Sequence, residues 1–175
     1  IIRVDMIPPI CSILSLEERN KKWREVTETL LDKINTRYKV LLRKLQAIGE
    51  VRLINSHDIE EAGLEIYVGF EGAPTQRLDP YTHSGGERSS SVMAFLLSLQ
   101  QNVISPFRAI DEFDLHMDPQ NKEAVSDFIM STMEGTNDQY MAITPSQVTF
   151  RGQDVHIIMI HKSETVSEPR IVEAK

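Results

Sequence analysis

Across residues 15–48, apolar side chains recur at three- and four-residue steps, through Leu16, Trp23, Val26, Leu30, Ile34, Leu41, Leu45 and Ile48, with charges between them. The spacing predicts one amphipathic helix of about 34 residues, on the order of 50 Å long. Ser15 and Glu18 have the spacing of a capping box, and Gly49 is the expected stop. So long a helix fits two arrangements. Its first half projects as one strand of a coiled coil while its second half packs on the body, or the whole length lies on the surface of a bundle.

After Gly49 the period changes to two. Residues 50–55 read as a short strand, and residues 64–70 alternate, with Leu64, Ile66, Val68 and Phe70 on one face. These are expected to be antiparallel neighbours joined by the acidic loop 57–63. A polar stretch with Gly72, Pro74 and Pro80 leads to a Gly-Gly turn, then to a helix over 88–101 that turns Val92, Phe95, Leu96 and Leu99 inward. A buried strand over 107–110 follows, then a turn at Asp118-Pro119 and a helix over 120–133 that buries Val125, Phe128 and Ile129. Strands over 139–143 and 155–160 complete the pattern, and the polar tail 162–175 is expected to be partly ordered. Strand-helix-strand units in this order predict an α/β fold with a parallel sheet.

Composition narrows the class. The 175 residues are 41% hydrophobic and 26% charged, enough for one domain with its own core plus a helical arm. A formal charge of −7 excludes a surface that is basic overall, so nucleic-acid contact would have to come from a local patch or another chain. With Cys11 the single cysteine, no internal disulfide can form, and a reducing compartment is expected. No apolar run approaches the roughly 20 residues that span a bilayer, so no membrane partner and no leader are expected. A start at Ile1 fits a piece of a longer protein.

The chemistry sits in two short motifs. In Ser84-Gly85-Gly86-Glu87, adjacent glycines allow close backbone approach, and the first amides of the following helix suit a phosphate oxygen. Asp111-Glu112 ends an apolar strand, where one carboxylate can hold a metal-bound water and the other can activate an attacking water. Gly-Gly turn, helix, strand and acidic pair, in that order, make a nucleotide-hydrolysis half-site. No Gly-x-x-x-x-Gly-Lys-Ser/Thr sequence occurs, so the cradle for the β-phosphate is absent from this chain. Asp114, His116 and Asp118 alternate like metal ligands, but with no further histidine or cysteine cluster they are read as a loop that binds no structural metal. Cys11 reads as an apolar filler, His156 and His161 as strand-end residues, and the methionines as core filling.

With these motifs in place, the chain resembles the C-terminal lobe of an ABC-type (P-loop NTPase) ATPase head of the SMC (structural maintenance of chromosomes) family. Ser84 to Glu87 matches the signature motif, Asp111-Glu112 the Walker B end, and Asp118 the D-loop aspartate. Flanking text such as Asp32-Lys33-Ile34-Asn35, Pro106-Phe107-Arg108 and Ile143-Thr144-Pro145 is similar to the fifth eukaryotic SMC paralogue or an archaeal relative. The resemblance implies a coiled-coil-proximal segment over 1–48 and a head lobe over 49–175. It implies ATP and Mg2+ as cofactors, with Ser84, Gly85, Gly86 and Glu87 in the nucleotide-binding turn that caps ATP held by an opposing head. It assigns Asp111 to magnesium through water, Glu112 to polarising the attacking water, and Asp118 to organising the shared site.

The implied partners are an N-terminal lobe carrying Walker A, a second SMC head, a kleisin subunit, and DNA through the assembled complex. The implied setting is chromosome organisation or DNA repair, intracellular and chromosome-associated, in the nucleus or the nucleoid. Where many ABC proteins carry a switch histidine, this chain has Pro145, which has no side-chain donor. The alternative function is an interaction module that docks a kleisin or DNA, with nucleotide as a structural clamp.

Overall fold

The computed structural model describes residues 9–146, 150, 155–162 and 167–173. Helix α1 spans Pro9–Lys44. Ser15 therefore lies inside the helix rather than at its start, because the chain stays helical back to Pro9, and proline suits a first turn that needs no amide donor. The other end also differs from expectation. α1 stops at Lys44, four residues before Ile48, where Gln46 takes a left-handed backbone (φ 56°) and its amide donates to the Arg43 carbonyl at 3.1 Å.

Burial divides α1 in two. Leu31, Ile34, Tyr38, Leu41, Leu42 and Leu45 are buried, whereas Leu16, Val26 and Leu30 are exposed, so the second half packs and the first half projects. Strand β1 (Ala47–Ile54) lies against the packed half. It pairs antiparallel with β2 (Gly63–Phe70) in the register Val51 to Ile66, and β2 pairs with the short β3 (Gln76–Arg77). The edge of β1 is closed by Asn35, whose amide donates to the Val51 carbonyl and accepts from the Val51 amide, both at 2.8 Å. One side chain on α1 thus replaces a missing strand neighbour.

Gly49 is not a helix stop but an interior residue of β1, opposite Val68. A Cβ there would collide with the Tyr67 carbonyl, and would stand 3.0 Å from Val68 Cα and 3.1 Å from Leu42 Cδ1. Glycine lets the strand lie between helix and neighbour at this point.

Helix α2 (Gly85–Gln100), strand β4 (Phe107–Asp111), helix α3 (Pro119–Met133) and strand β5 (Gln139–Ile143) follow. β4 and β5 pair in parallel through α3, as the strand-helix-strand pattern predicted. α3 buries Val125, Phe128 and Ile129, also as expected. Two faces do not follow the periodicity. α2 turns Ser90, Ser91, Ala94, Leu97 and Ser98 inward and leaves Val92 and Leu96 exposed, because small residues allow the close packing of α2 on α1. β4 is buried at Ile110 alone, while Phe107, Met141 and Ile143 on the β4 and β5 pair are about half exposed at 48%, 46% and 50%.

The expected strand over 155–160 exists as β6 (His156–Lys162), but it does not extend the parallel sheet. It forms an antiparallel pair with β7 (Ser167–Glu173), which occupies much of the expected polar tail. A hairpin partner immediately downstream replaces the crossover that parallel pairing requires. Among the described residues no helix is long and apolar enough to cross a membrane.

Replacing Gly49 by alanine is expected to destabilise the fold by roughly 1–3 kcal/mol through overpacking. Gly63→Ala, whose Cβ would meet only the Ile54 side chain at 3.5 Å, is the control and should be near neutral. Denaturant midpoints measure both, and equal stability of the two variants would contradict the packing described.

Candidate active site: the signature turn and the acidic turn

Ser84 caps α2. Its side chain accepts from the Glu87 amide at 3.2 Å, and the Glu87 carboxylate accepts from the Ser84 amide at 2.6 Å, a complete capping box. The bond from the Ser84 backbone holds the Glu87 carboxyl below the usual glutamate range, against a smaller opposing effect of burial. His83 anchors this cap. Its ring is buried, with Nε2 3.3 Å from the Val68 carbonyl of β2 and Nδ1 2.9 Å from the Thr82 hydroxyl.

The two glycines do different work. A Cβ on Gly85 would meet nothing within 4 Å, whereas one on Gly86 would stand 3.0 Å from the His116 carbonyl. Gly86 therefore lets the first turn of α2 rest on the turn that follows β4, and Gly85 keeps its outer face open.

The acidic pair lies at the C-terminal end of β4, where ligands of parallel α/β sheets gather. Asp111 pairs with Ile143 in the ladder, and the Glu112 amide donates to the Ile143 carbonyl at 2.9 Å. Glu112 then takes a left-handed backbone (φ 51°), as does His116 (φ 61°). For glutamate that conformation is strained, and such strain persists only where the surroundings impose it. Both carboxylates are exposed, while the next two side chains, Phe113 and Asp114, are buried.

An open groove of about 480 Å³ joins the two turns, lined by Gly85, Arg88, Val92, Glu112 and His116 among others. The Arg88 Nε in its wall is buried with no hydrogen-bond partner among the described residues. An orphaned cationic donor, an open glycine face and exposed carboxylates fit a magnesium nucleotide whose remaining ligands come from elsewhere. Among the described residues, no three histidine, cysteine, aspartate or glutamate side chains could hold a metal together, so Asp111 would be one contributor and not a complete site.

Asp118 is used locally. It caps α3, accepting from the Asn121 amide at 2.9 Å and the Asn121 side chain at 2.6 Å. Asp114 is withdrawn from solvent at 1% exposure, accepting from the Thr144 hydroxyl at 2.8 Å and facing the Lys122 ammonium at 3.2 Å. Burial opposes its charge, yet contacts from Ser146, Thr144 and Lys122 outweigh that and hold its carboxyl below the usual range. The alternate Asp114, His116 and Asp118 are therefore not a metal cluster among the described residues.

The chain is 36% identical over 163 residues to the structural maintenance of chromosomes protein 5 of Caenorhabditis elegans, and 34% over 140 residues to that of Schizosaccharomyces pombe. These alignments cover 87% and 75% of the chain, but only 15% and 13% of the two relatives. The chain belongs to the SMC family, as its C-terminal head region. No family model matches it. Solved SMC heads share the fold. The Smc head with coiled coil and joint from Pyrococcus yayanosii superposes with TM-score 0.75 at 27% identity, over 93% of this chain and 31% of that one. A structure described for ATP-driven dimerization and DNA-stimulated activation of SMC ATPases gives 0.69 at 26% identity, over 86% of this chain and 90% of that one. An Smc head bound to the C-terminal winged-helix domain of ScpA gives 0.71 at 27% identity, over 87% and 46%.

Gly85→Ala is expected to leave the unfolding midpoint unchanged, and Gly86→Ala to lower it, by about 1 kcal/mol or more. Reversal of that order would contradict the contact with His116. The capping box carries a pH signature. Because the folded state lowers the Glu87 pKa, its contribution is present above the ordinary glutamate range and disappears as pH falls through the folded value. Glu87→Gln should flatten that acid loss in urea titrations, and an identical pH profile would remove Glu87 from it.

Proposed function

We propose that this chain is the C-terminal half of an SMC-type ATPase head that binds and hydrolyses ATP only together with an N-terminal P-loop lobe and a second head. The observation that carries the reading is the shared groove, in which the Gly85 turn and the Glu112 carboxylate line one open space. Ser84, Gly85 and Gly86 would face the γ-phosphate of ATP held by the opposing head, with Glu87 fixing the turn they belong to. Asp111 would hold the magnesium shell through water. Glu112 would polarise the attacking water, and Asp118 would shape the D-loop at the dimer interface. Magnesium, when bound, supplies charge neutralisation on the phosphates, and the rest is positioning by this chain's own groups.

The half-exposed face of β4 and β5 supports a missing neighbour. Phe107, Met141 and Ile143 lie on it, and the exposed Val92 and Leu96 of α2 lie nearby in the chain order of the same unit. A lobe with the Walker A loop would cover that face, since an edge and an apolar surface of this kind are poorly stable in water. The projecting half of α1 would continue into a coiled coil, so that 1–48 forms the arm-proximal segment and 49–175 the lobe. A kleisin subunit would dock on the head, as ScpA does on the Smc head of known structure, and DNA would be contacted through the assembled complex. The setting is chromosome-associated and intracellular.

In a head reconstituted with its P-loop lobe, Glu112→Gln should reduce magnesium-dependent ATP turnover by roughly 100-fold or more. ATP-driven head engagement should persist. Turnover at the wild-type rate would remove Glu112 from its role and favour the docking-module alternative.

A further inference from the structure

The acidic turn is held from the side that faces away from the groove. Thr144 donates its hydroxyl to Asp114 Oδ1 at 2.8 Å and accepts the Ser146 amide at 3.0 Å. Lys122, on α3, donates to the Ser146 hydroxyl at 2.9 Å and faces Asp114 Oδ2 at 3.2 Å. Four residues from three separate stretches of chain thus close a ring of polar contacts around one buried carboxylate. Next to it, the buried Phe113 ring packs on Phe150 with centroids 6.0 Å apart. Glu112 lies between this anchored pair and the Ile143 carbonyl that accepts its amide, in a backbone conformation glutamate rarely adopts.

The ring also brackets Pro145. Pro145 cannot donate, and the residues on both sides of it, Thr144 and Ser146, are the ones tied to Asp114 and Lys122. The loop is therefore coupled to the acidic turn by fixed hydrogen bonds, and not by a side chain reaching into the groove. None of the four residues lines the groove itself.

We propose that Asp114, Thr144, Ser146 and Lys122 form a latch that sets the orientation of Glu112, with Asp114 and Thr144 as positioning residues for the hydrolytic step. This rests on the reading of Glu112 as the carboxylate that polarises water. Thr144 is the member to test, because it is partly exposed and valine matches its shape while removing the hydroxyl and every hydrogen bond it makes. Replacing Asp114 first would leave Lys122 without its partner and put folding at risk.

In the reconstituted head, Thr144→Val should lower kcat about tenfold or more, since small displacements of a reacting group are costly. KM for ATP and ATP-driven head engagement should stay within about twofold, and Thr144→Ser should restore kcat to within about twofold. Amide hydrogen exchange without nucleotide should quicken over 111–117 and 143–146 but not in β1 or β2. The latch is refuted by wild-type kcat in Thr144→Val, by an equal fall in engagement and kcat, or by failure of serine to rescue. Glu112→Gln run in parallel separates the two levels. If that variant loses turnover while Thr144→Val keeps it, only the latch fails; if Glu112→Gln keeps turnover, the underlying reading fails and the latch with it.

Discussion

The first turn of α2 lies tightly against the acidic turn at Gly86, where a Cβ would stand 3.0 Å from the His116 carbonyl. Its position relative to the His116 carbonyl brings an anion-suited helix start and a strained glutamate to the same groove. The supports behind it are redundant: the Ser84 and Glu87 box and the His83 ring hold one side, and the Ile143 ladder and the Asp114 ring hold the other.

What the approach creates is half a site. The chain supplies open backbone and two exposed carboxylates, but no glycine-lysine loop to grip a β-phosphate. Its apolar surface has the same incompleteness. A sheet of two parallel strands with one half-exposed face, beside a helix with Val92 and Leu96 in solvent, is built to be covered. The packed half of α1 ties the lobe to its arm through Asn35 and the β1 edge, so motion of the helix would be felt by the sheet. The left-handed backbone at Glu112 is backed by the Ile143 ladder bond and by the buried Asp114 beside it.

The motifs were legible because they are local. A glycine pair and an acidic pair after an apolar run are read within four or five residues, and the order of helices and strands up to β6 follows from period, the short β3 apart; the capping box expected at Ser15 and Glu18 is found instead at Ser84 and Glu87. The parts that differed depend on contacts beyond such a window. Gly49 reads as a helix stop until β2 is laid beside it, and the α1 end depends on the left-handed Gln46. The inward face of α2 was misjudged because hydrophobic periodicity assumes that each apolar stripe meets this same chain, whereas Val92 and Leu96 do not. The same assumption made β4 a fully buried strand. His83, Lys122 and Thr144 carry no signature, since their partners lie 15, 8 and 30 residues away in sequence.

The most direct measurement is a structure of two engaged heads, each with both lobes, bound to a non-hydrolysable ATP analogue and magnesium. The account predicts the γ-phosphate of one head within about 3 Å of the Ser84 and Gly85 donors of the other, with the Glu112 carboxylate on the attacking water's side. A nucleotide bound away from the groove between these two turns would contradict it.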